Sequence, residues 1–235
     1  MQNLNIVAID PSLISTALVV NGKLFNYCKE ENAYSKTGLT KWYKMCDHLV
    51  TYRLIKYHNY KDYSQGEIVK LSDYDVIIDT IITDIKNNIN PLYPVNIVME
   101  GYSYSSDAGY LIDLVTFSTL LRYKLMIEFG KDIEIFSPST LKIESCKLTY
   151  PPINVGKKKE KLEYRNKLGI AGGSFTKHAM FLSVVENENL NDSFATHCKE
   201  YSDNIMGAKK INKPYEDVVD AYLMYQIQTK RKNNI

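Results

Sequence analysis

Four carboxylates stand in apolar surroundings: Asp10 after the run Asn5–Ile9, Glu100 after Asn96–Met99, and Asp217 with Asp220 three residues apart in EDVVDAYLM. A lone carboxylate in such a setting is costly unless something pairs with it, and a metal ion is the commonest partner. Taken singly, Asp10 could cap a turn, Glu100 could merely end a strand, and the Asp217/Asp220 pair could be a solvated helix face. Val218, Val219, Ala221 and Leu223 surround that pair with apolar residues, however, and three such features in one chain weigh towards convergence. Mg²⁺ and Mn²⁺ take hard oxygen ligands, and two such ions roughly 3.5–4 Å apart can activate a water and stabilise the leaving oxygen of an in-line phosphodiester displacement. Two-metal phosphodiester hydrolysis is the chemistry these residues point to.

The elements that must position them follow from periodicity. Asn5 to Val20 reads as a strand, a tight turn through Pro11 and Ser12, and a second strand; Asn21-Gly22 is a strong hairpin signal, with Lys23 to Tyr27 as the third strand. Apolar residues at helical spacing predict a helix from Leu39 to Tyr57, and polar Asn59 to Lys70 predicts a loop. Ser72 and Asp75 form an approximate capping box before a helix with Val76, Ile77, Thr80, Ile81 and Ile85 on one face. Pro91 and Pro94 stop it ahead of the strand Val95 to Glu100. Gly109 to Phe129 reads as a long apolar helix closed by Gly130, Asp132 to Phe136 as a short strand, and Ser137-Pro138 as a helix start. Lys147 to Leu168 breaks all periodicity and reads as a surface insertion, Gly172-Gly173-Ser174 reopens a helix carrying Lys177, and the last helix is expected near Tyr215 to Gln228. At i and i+3, Asp217 and Asp220 share one face of it. Three antiparallel strands followed by helices and parallel strands predict an α/β domain of ribonuclease H-like type, with a mixed sheet of about five strands and helices on both faces.

The 235 residues suit one large domain better than two. No apolar run approaches the length that spans a bilayer, so a cytoplasmic protein with no membrane partner is expected. Cys28, Cys46, Cys146 and Cys198 are scattered without a CxxC pair, so neither a zinc ribbon nor a disulfide framework is supported and reduced thiols are expected. Net charge is +2, but nine basic residues against three acidic ones between Thr140 and Lys177 give that segment +6 and leave −4 on the rest of the chain. Such asymmetry suits a polyanion, although a run such as Lys157 to Lys161 is more often a solvated face.

IVAIDPSLISTALVV, VMEGYSY, SPSTLK, GGSFTKHAM and EDVVDAYLM resemble, in order, the motifs of the RuvC family of Holliday junction resolvases. The likeness spans most of the chain and lapses at Leu54 to Leu71, Lys147 to Leu168 and Asn187 to Asn212. It implies a homodimeric, Mg²⁺-dependent endonuclease of DNA recombination and repair, with Mn²⁺ able to substitute, that nicks opposed strands of four-way or other branched DNA. Asp10, Glu100, Asp217 and Asp220 match that family's acidic tetrad, and Lys142 and Lys177 its basic residues near the scissile phosphate. Two departures stand out. Ser12 replaces a glycine, and Ser103 falls where an aromatic residue would wedge into the junction, so Tyr102 or Tyr104 would have to serve. The insertion has no family counterpart; Lys157, Lys158 and Lys159 are assigned there to DNA arms beyond the active site. Abundant Asn, Lys, Ile and Tyr fit an AT-rich genome and suggest a divergent viral or phage member, acting in the host cytoplasm.

Other readings compete. A ribonuclease H-like nuclease acting on RNA/DNA hybrids, flaps or structured RNA would use the same phosphate chemistry. A sugar-kinase or Hsp70-like ATPase also begins with a strand, an Asp and a meander, yet needs Gly-rich phosphate loops, of which this chain with its 11 glycines has no convincing second one. A catalytically dead DNA-binding protein would be expected to have lost a carboxylate.

Overall fold

The computed structural model describes residues 4–102, 108–130, 133–150 and 176–233. Strands β1 (Asn5–Asp10) and β2 (Ser15–Val20) are buried along their whole lengths. Side chains alternate across a strand, so burial of every residue requires cover on both faces of the sheet. Val7, Ile9, Leu18 and Val20 enter one core, and Ala8, Ala17 and Val19 enter the other. That double burial is why the opening segment reads as continuous apolar runs.

At the first hairpin Asn21 and Gly22 both take positive φ, 49° and 86°, as a two-residue turn of the type I′ class requires. The turn returns the chain as β3 (Lys23–Lys29), antiparallel to β2. Short elements follow: α1 (Glu30–Ala33), β4 (Tyr34–Ser35), β5 (Gly38–Leu39) and α2 (Lys41–Met45). Next come β6 (Val50–Ile55), α3 (Tyr63–Asn88), β7 (Val95–Glu100), α4 (Ala108–Phe129) and β8 (Ile133–Phe136). The remaining helices are α5 (Pro138–Thr149), α6 (Lys177–Val185), α7 (Ser193–Glu200), α8 (Ser202–Met206) and α9 (Tyr215–Asn233).

The main sheet has six strands in the order β6-β3-β2-β1-β7-β8. Strands β1, β2 and β3 form the antiparallel meander, while β7, β8 and β6 join in parallel. Helices α3 and α4 cover one face through Tyr74, Ile78, Ile81, Phe117 and Leu121. On the other face α9 lies against β1 and β2, supported by α5, α6, α7 and α8. This is the ribonuclease H-like arrangement expected from the sequence, with one more strand.

The extra strand is the main correction. Val50–Ile55 pairs with β3 in register Leu24↔Val50 to Lys29↔Ile55 and is not the end of a helix from Leu39 to Tyr57. VTYRLI is rich in β-branched and aromatic residues. Its Arg53 is held across the sheet by buried Asp84 of α3, Nη2 to Oδ1 at 2.7 Å and Nε to Oδ2 at 3.0 Å, while the Tyr27 hydroxyl donates to the same Oδ2 at 2.8 Å. Helix α3 begins at Tyr63, inside the segment expected to be a loop, because the Asp62 side chain accepts from the Gln65 amide and caps it there. Val76 and Thr80 accordingly turn away from the core; Tyr74, Ile77, Ile78 and Ile81 are the buried face. Likewise α5 continues through Lys147 to Thr149, so these three residues are not part of the insertion; of the rest, 151–168 lie outside the described residues. Ser137 caps α5 as expected, accepting from the Thr140 amide, with Pro138 in its first turn. Helices α7 and α8 occupy a stretch that carried little signal, and Asp192 caps α7 by accepting from the Phe194 and Ala195 amides. The four cysteines are buried and free of disulfides, and among the described residues no helix is long and apolar enough to cross a membrane.

One side chain fixes β1 beside β7. Asn5, buried at the start of β1, donates from Nδ2 to the carbonyls of Asn90 (2.8 Å) and Tyr93 (3.0 Å). Its Oδ1 accepts from Asn21 Nδ2 and from the Asn90 amide, both at 2.9 Å. All four hydrogen-bonding positions of the amide are used. Replacing it by a residue of similar volume strands several polar groups at once, so Asn5→Leu should destabilise the fold by about 3 kcal/mol in urea unfolding. A loss below about 1 kcal/mol would show that these groups simply return to water.

Candidate metal centre

The register that Asn5 helps to set carries through to the other end of β1. Ile9 pairs with Met99, so Asp10 and Glu100 follow as neighbours at the carboxyl ends of two parallel strands. Ala8 and Val98, two residues earlier in each strand, belong to the core beneath α9, so alternation turns Asp10 and Glu100 to the same face. Helix α9 then brings Asp220 onto them, and one carboxylate oxygen from each of Asp10, Glu100 and Asp220 lies within 4.8 Å of the others. The sequence placed these residues on three separate elements; topology joins them.

Asp220 is 0% exposed, and its Oδ1 is buried without a hydrogen-bond partner among the described residues. Its Oδ2 is in contact with the ammonium of Lys177, the first residue of α6, whose start is fixed by Thr176 capping the Ala179 amide. Asp10 is equally dry. Burial pushes its carboxyl well above the ordinary 3.8, the negative charge of Glu100 and a hydrogen bond to it add to this, Asp217 adds more, and Lys177 opposes.

The fourth carboxylate is placed differently. Asp217 is buried and close enough for its charge to act on Asp10, but both its oxygens are taken by Lys213, with Nζ at 2.6 Å from Oδ1 and 2.7 Å from Oδ2. The structure therefore gathers Asp10, Glu100 and Asp220 into one group and sets Asp217 beside them in an ion pair. Lys213 was not singled out in the sequence, although its four-residue spacing to Asp217 was a readable signal.

The basic and aromatic candidates divide. Lys177 reaches the carboxylates. Lys142 lies on α5, which leaves β8 at the same end of the sheet as Asp10 and Glu100; it makes no ion pair among the described residues. Tyr102, two residues beyond Glu100, is held on α4: its hydroxyl is 3.0 Å from Thr119 Oγ1, and the Arg122 guanidinium lies 4.8 Å above its ring. Arg122 had not been singled out. Tyr104, Lys157, Lys158 and Lys159 lie outside the described residues.

Three carboxylates offering hard oxygen donors, one of them with an orphaned buried oxygen, fit a divalent ion of the Mg²⁺ or Mn²⁺ kind. Asp10, Glu100 and Asp220 are the residues that would hold it.

No protein-family model matches the sequence, and no curated protein matches it. Among solved structures, Thermus thermophilus RuvC is similar at 12% identity, over 97% of this chain and 96% of that one, with a TM-score of 0.39. T. thermophilus RuvC in complex with Holliday junction substrate is similar at 11% identity over the same shares, with a TM-score of 0.38. An Aquifex aeolicus member of the Ppx/GppA family follows at 9% identity, over 97% and 90%, with a TM-score of 0.27. At these TM-scores the reading of the site rests on the chain's own geometry.

A carboxyl with a raised folded-state pKa binds its proton more tightly in the fold than in the unfolded chain. Its contribution to stability is full below the ordinary 3.8 and is lost as pH rises through the folded value. In EDTA the wild-type chain should therefore lose stability with rising pH across that window, and Asp10→Asn should lack that component. Urea midpoints of the two proteins that run parallel with pH would show that Asp10 is not the group responsible. Asp220→Asn should bring no comparable gain, because it leaves Lys177 without its partner.

Proposed function

We propose that this chain is a divalent-metal-dependent endonuclease that hydrolyses phosphodiesters in branched DNA, four-way junctions foremost. The observation that carries the reading is the carboxylate group of buried Asp10 and Asp220 with half-buried Glu100, with Lys177 at its rim and the buried Oδ1 of Asp220 unpartnered among the described residues. An ion held there supplies the charge that stabilises a phosphoryl group under attack and lowers the pKa of a water. Lys177, 35% exposed along its side chain, is the residue positioned to exchange a carboxylate oxygen for a phosphate oxygen when DNA arrives. Tyr102 and Arg122 flank the strand end that carries Glu100 and would meet the DNA backbone beside the scissile bond. Lys142, with the basic residues 157–159 beyond the described part of the chain, would hold more distant phosphates.

Matched four-way junction, flap, duplex and RNA/DNA hybrid substrates, each with Mg²⁺ or EDTA, test this directly. The expected result is Mg²⁺-dependent cleavage of the junction, reduced more than about a hundredfold in Asp10→Asn and Asp220→Asn. Junction binding by both variants should persist, since affinity comes from phosphate contacts elsewhere. Full activity in either variant would remove the site; cleavage confined to the hybrid would replace branched DNA as the substrate.

Opposed nicks on a two-fold substrate call for two sites on one particle. Helix α4 has an apolar outer side that supports this: Ile112, Tyr123 and Ile127 are exposed, as is Val76 on α3, the helix that Lys124 bridges to through Asp75 (2.5 Å) and Asp79 (2.7 Å). Leu121, by contrast, faces the core and Leu114 packs against it. We infer a homodimer built on the outer side of α4, the isologous arrangement being the commonest. Tyr123→Glu with Ile127→Glu should give a monomer by sedimentation at micromolar concentration and leave only slow single nicks. A wild-type monomer that cuts both strands in concert would overturn the dimer.

A further inference from the structure

Among the described residues at the centre, Lys213 and Asp217 form an ion pair that the proposed chemistry leaves without a task. Lys213 stands at the turn into α9, just ahead of Pro214, and reaches forward one helical turn to Asp217. Its Nζ sits between the two carboxylate oxygens, at 2.6 and 2.7 Å, and Asp217 is buried beneath it. The charges that act on the ammonium are those of Asp217, Glu216 and Asp10, so it faces the carboxylate centre and not solvent alone. From the other side Lys177 engages Asp220.

Resting on the reading of Asp10, Glu100 and Asp220 as metal ligands, the geometry points to Lys213 as a built-in replacement for a second ion: the centre takes one divalent cation, and the Lys213 ammonium fills the place a second would occupy on Asp217. With all four carboxylates ionised around a bound cation they carry −4 and the two lysines return +2, so a single divalent ion brings the DNA-free centre to neutrality. A second divalent ion on Asp217 would lie against an ammonium that shares its ligand oxygens, with like charges in a dry pocket. The lysine also pairs Asp217 while no ion is present, which keeps an unpaired charge from being buried on the first turn of α9. Asp217 thereby contributes through Lys213 and not as a direct ligand, so Lys213 is a positioning residue.

Manganese binding to the full chain, counted by calorimetry and by the electron paramagnetic resonance of free Mn²⁺, tests this without reference to cleavage. The wild type should bind one Mn²⁺ per chain. Lys213→Met, which keeps the stem and removes the charge, should bind two, and Lys213→Met with Asp217→Asn should return to one. Two ions in the wild type, or one in Lys213→Met folded as judged by circular dichroism, would overturn the proposal while leaving the metal site intact. Should Lys213→Met not fold, the double variant, which strands neither partner, and the wild type decide between them: one ion in each supports the replacement, and a second ion in the wild type alone overturns it. No Mn²⁺ bound by the wild type at all would instead bring down the metal reading beneath it, a failure separable from the others because Asp10→Asn would then bind no less than the wild type.

Discussion

Repulsion among clustered carboxylates, two of them buried and one half-buried, is the constraint on which the rest of this structure depends. Two unit charges at a separation like that of Asp10, Glu100 and Asp220 repel by about 3 to 4 kcal/mol at an effective dielectric constant near 20. Three such pairs approach the whole stability of a domain, roughly 5–15 kcal/mol. Left alone, the group would open. Each feature around it answers that pressure: Asp10 binds its proton more tightly than an ordinary aspartate, Lys177 and Lys213 each neutralise one aspartate of α9, and Asp220 offers an oxygen that has no hydrogen-bond partner among the described residues. The energy that holds the carboxylates together comes from elsewhere, from two apolar cores on either side of the sheet and from the saturated amide of Asn5.

Dryness serves the same end. Around Asp220, α9 is buried on almost every side, with Val218, Val219, Ala221, Tyr222, Leu223 and Met224 all in the core. A carboxylate buried in such a helix must be compensated in place. A metal held by it would act in a low-dielectric setting, where charge stabilisation of a transition state is strongest. The feature that costs the apo protein most is therefore the one that would give the loaded centre its strength.

How far the sequence could be read follows from where each signal resides. The meander was legible because Asn21-Gly22 demands positive φ and the runs before and after it are fully buried. The Ser137 cap and the Gly130 stop are local signals of the same kind, and Gly130 does take a positive φ of 102°. Strand β6 was missed because its pairing is non-local. Trp42, Tyr43 and Cys46 create a helical rhythm that ends with α2, and only the Arg53–Asp84 contact and the neighbouring β3 reveal VTYRLI as a strand. The first turns of α3 were missed for the opposite reason: they are polar and exposed, so periodicity is silent there and the Asp62 cap is the only mark. At the site, carboxylates announced themselves by standing in apolar runs. Lys213 did not, because a lysine beside a proline in a polar stretch looks like any solvated turn until Asp217 is found beneath it.

The two faces of the sheet carry different burdens, and the division follows from strand parity. Asp10 and Glu100 follow Ala8 and Val98 onto the α9 face, so every charged group of the centre lies on that side, together with the small helices that surround it. The α3 and α4 face receives Val7, Ile9, Ile97 and Met99, and its buried aspartate Asp84 is paired with Arg53 and Tyr27. A slip of one residue between β1 and β7 would exchange these roles and drive Asp10 beneath α4, away from Lys177 and Lys213. Asn5 is what forbids the slip, since its four hydrogen bonds are satisfied only when the strand start, the hairpin and the loop entering β7 coincide. An amide at the far end of the strand thus decides which side of the molecule the carboxylates occupy, and leaves the outer side of α4 free of the catalytic charges. Should that surface be covered by a second copy, as proposed, the centre would stay uncovered, because it belongs to the opposite layer.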